Sequence, residues 1–168
     1  RFVQIKTEEQ QAVLALHTER GILIRERIAC ANSLRATLAE FGITIAAGQS
    51  HLTRELPAIL EDGENGLSPF VRTSIYRQSK HIRELEEQVK QVEEALASWY
   101  RTQEACQRMA KIPGVGMLTA TYVVAAVGNA RQFSTAKQFA SWLGLTPKEH
   151  SSGGKQQLGG ISKRGDGY

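Results

Sequence analysis

Only two cysteines, Cys30 and Cys106, occur in the 168 residues, and neither belongs to a cluster with metal-ligand spacing. Each falls on an apolar helical stripe, so packing as a reduced thiol in a cytosolic protein is expected rather than a disulfide framework. The histidines, His17, His51, His81 and His150, are equally scattered and give no zinc or iron pattern, so no metal site is expected in this chain. No apolar run is long enough to span a membrane, and no signal-peptide pattern opens the chain, so no membrane partner is expected. The first residue is Arg1 rather than Met, which suggests an excised or processed piece. A nucleotide-binding P-loop is also missing. Lys148 and His150 stand where its first glycine would be sought, and Gln156 rather than Ser or Thr follows Lys155.

Acidic side chains become scarce toward the end. Residues 1–67 hold 7 basic and 9 acidic side chains, residues 68–110 hold 7 and 6, and residues 111–168 hold 7 and 2. The basic excess is therefore concentrated in the last third, which suits a polyanion partner, most simply nucleic acid. A solvated basic face with no partner is the plainer alternative.

The same third carries the densest chemistry. His150 to Gly165 reads HSSGGKQQLGGISKRG, with Ser151 and Ser152 directly before Gly153, Gly154 and Lys155. Glycines let another molecule approach the backbone closely, and hydroxyls and cations among them are what a phosphodiester meets. From these residues alone a mobile Gly- and Ser-rich surface loop is the slightly favoured reading.

Upstream, apolar periodicity predicts a mainly α fold: a long antiparallel helical hairpin or coiled coil, then a small domain containing a helix-hairpin-helix. Thr7 with Gln10 reads as a capping box. The stripe Val13, Leu16, Ile24, Ile28, Ala31, Leu34, Leu38, Phe41 follows at helical spacing, with Gly42 as the stop. Residues 42–67 read as a loop region; Leu52, Leu56 and Leu60 suggest a short helix that Pro57 would disturb. Ser68 and Pro69 open the most regular stretch. Val71, Ile75, Gln78, Ile82, Leu85, Val89, Val92, Leu96, Trp99, Gln103 and Cys106 alternate steps of four and three, a heptad pattern. This helix is expected to pair with the first, with its own copy in a homo-oligomer, or with both. Lys111 to Gly128, KIPGVGMLTATYVVAAVG, reads as the helix-hairpin-helix, whose Gly114 and Gly116 amides and following helix start suit a backbone phosphate. An ordinary tight turn between helices is the alternative. Ser134 is expected to cap a last helix bearing Phe139 and Trp142. The expected division is a helical coiled-coil region at 1–110 and a C-terminal domain at 111–168.

IPGVGMLTA, FSTAKQFASWLGLTP and HSSGGKQQLGGISKRGD, in that order, resemble the C-terminal domain of insertion-sequence transposases of the IS-one-ten type, especially their IS-eleven-eleven branch. RFVQIKTEEQQAVLALHTER resembles the segment after that family's catalytic N-terminal domain, so the likeness covers nearly the whole chain. It implies a DNA transposase or recombinase, an enzyme of the cytoplasm that joins an RNase-H-like, Mg2+-binding acidic domain to a coiled coil and a serine domain. It implies Ser152 as the nucleophile. From their charge, Lys155, Lys163 and Arg164 are expected to steady a DNA phosphate, beside Gly114 and Gly116 of the hairpin. A guide RNA is implied as a partner of the full-length protein, and Mg2+ as its cofactor. The acidic domain is absent from this sequence, and the family pattern continues past Tyr168, so this piece alone is expected to be inactive and to hold no cofactor. The alternative function is a non-catalytic helix-hairpin-helix DNA-binding module with a dimerising coiled coil; a third is a structural coiled-coil adaptor.

Overall fold

Thr7 opens the first helix as read: its hydroxyl accepts from the Gln10 amide, and the Gln10 side chain accepts from the Thr7 amide. Helix α1 then runs Glu8–Ala39. The computed structural model describes residues 5–150, 155, 157–163 and 165. The expected strand or lead-in at 1–6 lies mostly outside these residues, and Ile5 and Lys6 have no regular structure. α1 stops where the Gly42 amide bonds to Ala39 O and the Ile43 amide to Leu38 O, the paired bonds of a glycine-terminated helix.

After α2 (Gln49–Glu61), α3 runs Pro69–Thr102, capped by the Ser68 hydroxyl on the Val71 amide. α1 and α3 lie antiparallel. Trp99 Nε1 donates to Glu9 at one end, Arg20 pairs with Glu93 at 2.7 Å, and His81 meets Glu26 nearer the other end. The α3 heptad is buried as its spacing requires: Ile75, Ile82, Leu85, Val89, Val92 and Leu96 face inward. Packing an apolar seam of this length is the dominant stabilising term, at roughly 1.5–3 kcal/mol per fully buried aliphatic side chain.

Three expectations are corrected. The seam of α1 passes through His17 and Arg20 instead of following apolar residues alone, so Ile28 is 50% exposed and Phe41 40% exposed. Residues 42–67 are not a loop region throughout: α2 forms despite Pro57, because Leu52 and Leu56 are buried against α1 and α3 and outweigh the bond that proline removes. The α3 helix does not continue to Cys106. Extended backbone at Gln103 interrupts it, and α4 (Glu104–Met109) turns away to pack on the next helix.

α5 (Met117–Val127) ends at Gly128, as read. It is nearly all apolar and sits across the open end of the α1–α3 hairpin, where Val13, Val92, Leu96 and Ala125 form a second core. A single 3-10 turn at Ala130–Gln132 leads to α6 (Ala136–Trp142). Its cap is Thr135, whose hydroxyl accepts from the Gln138 amide, and not Ser134, whose own amide bonds to the Gln138 side chain. Strands β1 (Pro147–Glu149) and β2 (Leu158–Ile161) close the described chain as an antiparallel ribbon. No described helix is long and apolar enough to cross a membrane.

Candidate nucleic-acid interface and serine ribbon

Two features of the last third hold the described residues among the expected contacts. The first is the turn between α4 and α5. The backbone folds through the bonds Lys111 N to Arg108 O, Ile112 N to Met109 O and Val115 N to Ile112 O. Gly114 has φ 84°, a backbone state that side-chain-bearing residues rarely adopt, so the turn needs glycine there. Gly116 precedes α5 with ordinary φ, and no side chain caps that helix. Open space surrounds the Cβ position of both glycines. The α5 amide dipoles therefore point at a surface with no protein atom crowding its glycines, an arrangement able to accept an anion.

The second is the ribbon. Pro147 pairs with Ile161 and Glu149 with Leu158, with an irregularity between, and every residue of both strands is exposed. His150 N bonds to Gln157 O at 2.9 Å, which carries the pairing one residue beyond Glu149 and Leu158. Ser152, the expected nucleophile, and Arg164 lie outside the described residues, as does Ser151. Lys155 and Lys163 are exposed on or beside the ribbon, whereas Gly114 and Gly116 belong to the α4–α5 turn. The expected DNA contacts thus fall on two separate elements, the lysines on the ribbon and the glycines on the turn.

The remaining reactive groups are structural. Cys106 is fully buried, its thiol is 3.8 Å from Ala120 O, and burial pushes its pKa up to about 11, so it is no thiolate nucleophile. Cys30 is half-buried beside the first core. His17 is buried and holds Thr121 of α5 at 3.1 Å; burial first, and then the charge of Arg20, lowers its pKa to about 4. No group of three His, Cys, Asp or Glu able to hold a metal ion occurs among the described residues.

Sequence reasoning missed an open apolar cavity of about 530 Å3 lined by Met109, Ile112, Val124, Val127, Phe133 and Phe139. The Phe139 and Trp142 rings stack 6.1 Å apart at its margin, with Phe133 edge-on to Phe139. The i, i+3 spacing of Phe139 and Trp142 was the available signal.

Residues 106–168 match the family described as Transposase IS116/IS110/IS902. The chain is 42% identical over 99% of its length to a transposase for insertion sequence element IS1111A of Coxiella burnetii, covering 46% of that protein. It is 38% identical over its whole length to a probable family 20 transposase of Pseudomonas aeruginosa, covering 50% of it. It is also 38% identical over 98% of its length to a transposase for insertion sequence element IS1328 of Yersinia enterocolitica, covering 48% of it. The chain spans about half the length of the curated relatives it matches.

Proposed function

From a chain related over nearly its whole length to insertion-sequence transposases of the IS116/IS110/IS902 family, we propose the coiled-coil and serine-bearing part of a DNA transposase. Ser152 is its nucleophile. Its Oγ attacks a backbone phosphorus. An Oγ–P ester bond forms as one P–O bond to deoxyribose breaks, the serine proton passes to a base, and the leaving sugar oxygen takes up a proton. One ester replaces another, so the strand can be rejoined by reversal onto a new end without an energy source. A serine hydroxyl needs activation for this. His150, two residues away and exposed, is the nearest candidate base in the chain.

The observation that supports the reading is the exposed ribbon in which His150 pairs with Gln157 on either side, in sequence, of the Ser152 motif, with Lys155 exposed. Lys155, Lys163 and Arg164 neutralise DNA phosphates, and the Gly114–Gly116 turn, read as a helix-hairpin-helix, holds a further phosphate on the α5 amides. The rest of the full-length protein supplies the Mg2+-dependent acidic site, and a guide RNA is its partner. Assembly as a homo-oligomer completes the reading. Leu85 and Val92 are already buried within the hairpin, so self-association has to use outward side chains such as Ile22 and Ile28. A non-catalytic DNA-binding module is favoured by one observation, the open α4–α5 turn.

Trapping a protein–DNA adduct with the full-length protein and mapping the linked peptide separates the two. Ser152→Ala abolishes the adduct while leaving folding and DNA affinity nearly intact, because loss of one serine hydroxyl from a Gly-rich segment changes stability little. Ser151→Ala keeps substantial activity. An adduct at Ser151, or full recombination by Ser152→Ala, overturns the assignment.

A further inference from the structure

α6 ends at a left-handed glycine. Gly144 has φ 71°, its amide bonds to Ser141 O, and the Leu145 amide reaches back to Ala140 O. This turn leaves the Gly144 carbonyl free of the helix, and the buried Gly144 receives two donors from beyond β2. Ser162 Oγ donates to Gly144 O at 3.1 Å, and Lys163 N donates to the same oxygen at 3.1 Å. Ser162 N also bonds to Thr146 O at 2.8 Å, extending the ribbon ladder by one pair. Lys163 then adopts φ 53°, uncommon for a residue with a side chain, so its surroundings impose that state. The chain next passes so close to α6 that a Cβ on Gly165 would overlap the backbone of Trp142, Leu143 and Gly144.

We infer that Ser162, Lys163 and Gly165 form a clamp that seats the base of the β1–β2 ribbon on the C-terminal turn of α6, with Ser162 as a positioning residue for the serine segment at 151–156. Ser162 is thereby distinguished from the nucleophile: its hydroxyl proton is committed to a carbonyl. Every residue of both strands is exposed, so among the described residues the base of the ribbon is where it is fixed to α6. Its direction relative to the helical part is set where it leaves α6. A hydroxyl–carbonyl bond at that base governs where the far end of the ribbon stands. A displacement of about 1 Å at a reacting centre can lower a rate about 100-fold.

This inference rests on the reading of Ser152 as the nucleophile, and the test keeps the two apart. In the full-length protein, Ser162→Ala is compared with Ser162→Thr, which retains the hydroxyl, and with Gly165→Ala, which forces the strand off α6. Three quantities are read: the rate of adduct formation at saturating DNA, DNA affinity, and hydrogen-exchange protection of the ribbon amides His150 and Ser162. The expected result for Ser162→Ala and Gly165→Ala is a rate lowered about 100-fold, affinity changed less than about twofold, and lost ribbon protection, with Ser162→Thr restoring both rate and protection. Unchanged rate and protection in Ser162→Ala would overturn the clamp. So would an adduct mapped to Ser162, or a loss confined to DNA affinity. If Ser152→Ala still forms the adduct, the nucleophile reading fails, while lost ribbon protection in Ser162→Ala still supports the clamp.

Discussion

His17 is a polar ring in an apolar seam, and its partner explains why it is tolerated. The single hydroxyl proton of Thr121 goes to Met117 O or Leu118 O, at 2.9 and 3.0 Å, so Thr121 Oγ1 accepts from His17. The neutral imidazole therefore carries its proton on Nε2, and α1 is stapled to α5 across 104 positions of sequence. Protonating this ring inside the fold is costly. Its pKa falls from 6.5 to about 4 in the folded state, so the unfolded chain binds the proton more readily. Stability is full above pH 6.5, declines as pH falls through the window from 6.5 to 4, and levels below it, a loss of about 3 kcal/mol from this group. Urea unfolding at pH 7, 5.5 and 4 should show that decline, and the variant His17→Gln should be less stable at pH 7 but lack the His17 share of the slope. An identical pH slope in both proteins would remove His17 as the cause. Such a residue is hard to see in a sequence, because a histidine within an apolar stripe reads as an interruption of it.

At the scale of elements, the least legible was α2, and arginines explain its placement. Arg35 of α1 donates to Gly48 O, where α2 begins. Arg72 of α3 donates to Ile59 O, Leu60 O and Asp62 O at the other end of α2, and to Leu67 O and Asn65 Oδ1 beyond it. A guanidinium presents five donors in a fixed fork, and helix C-termini leave carbonyls without partners, so one side chain satisfies an end that Pro57 has weakened. Arg72→Ala should destabilise the chain by about 3 kcal/mol, since bonds to a charged donor are worth roughly 1.5–3 kcal/mol each and are not additive. Arg72→Lys should recover little. Limited proteolysis should then cut first within residues 43–67. A change below about 0.5 kcal/mol, the size of an ordinary surface substitution, would show that the bonds are incidental. Elements set by local chemistry were readable: the Thr7–Gln10 box, the Ser68–Pro69 start, the α3 heptad and the Gly128 stop. The break at Gln103, the capping role of Thr135 and the course of α2 were not. Each depends on a partner distant in sequence or on a choice between adjacent capping residues. The Ser162–Gly144 bond at the base of the ribbon spans 18 positions and leaves no local pattern.

For the whole molecule, the division of charge and apolar surface assigns different tasks to the two ends. The apolar seam of α3 is consumed within the chain by α1, which makes the hairpin a stiff support for α5 and the elements beyond it. The basic excess lies past residue 110, and its described members on and beside the ribbon, Lys155 and Lys163, are exposed. Cations placed on an exposed ribbon gain little from protein partners and are available to phosphate. Each phosphate neutralised on duplex DNA releases condensed counterions, so log affinity should fall linearly with log salt with a slope of about −0.9 per contact. Replacing Lys155 and Lys163 together by Ala should therefore make the slope shallower by about 2 and weaken binding similarly on unrelated DNA sequences. A titration of the full-length protein on two unrelated duplexes between about 50 and 200 mM salt measures both effects. An unchanged slope would take these lysines off the phosphate backbone. A loss confined to one duplex would mean that they read sequence, which exposed lysines, acting as point charges, are not built to do.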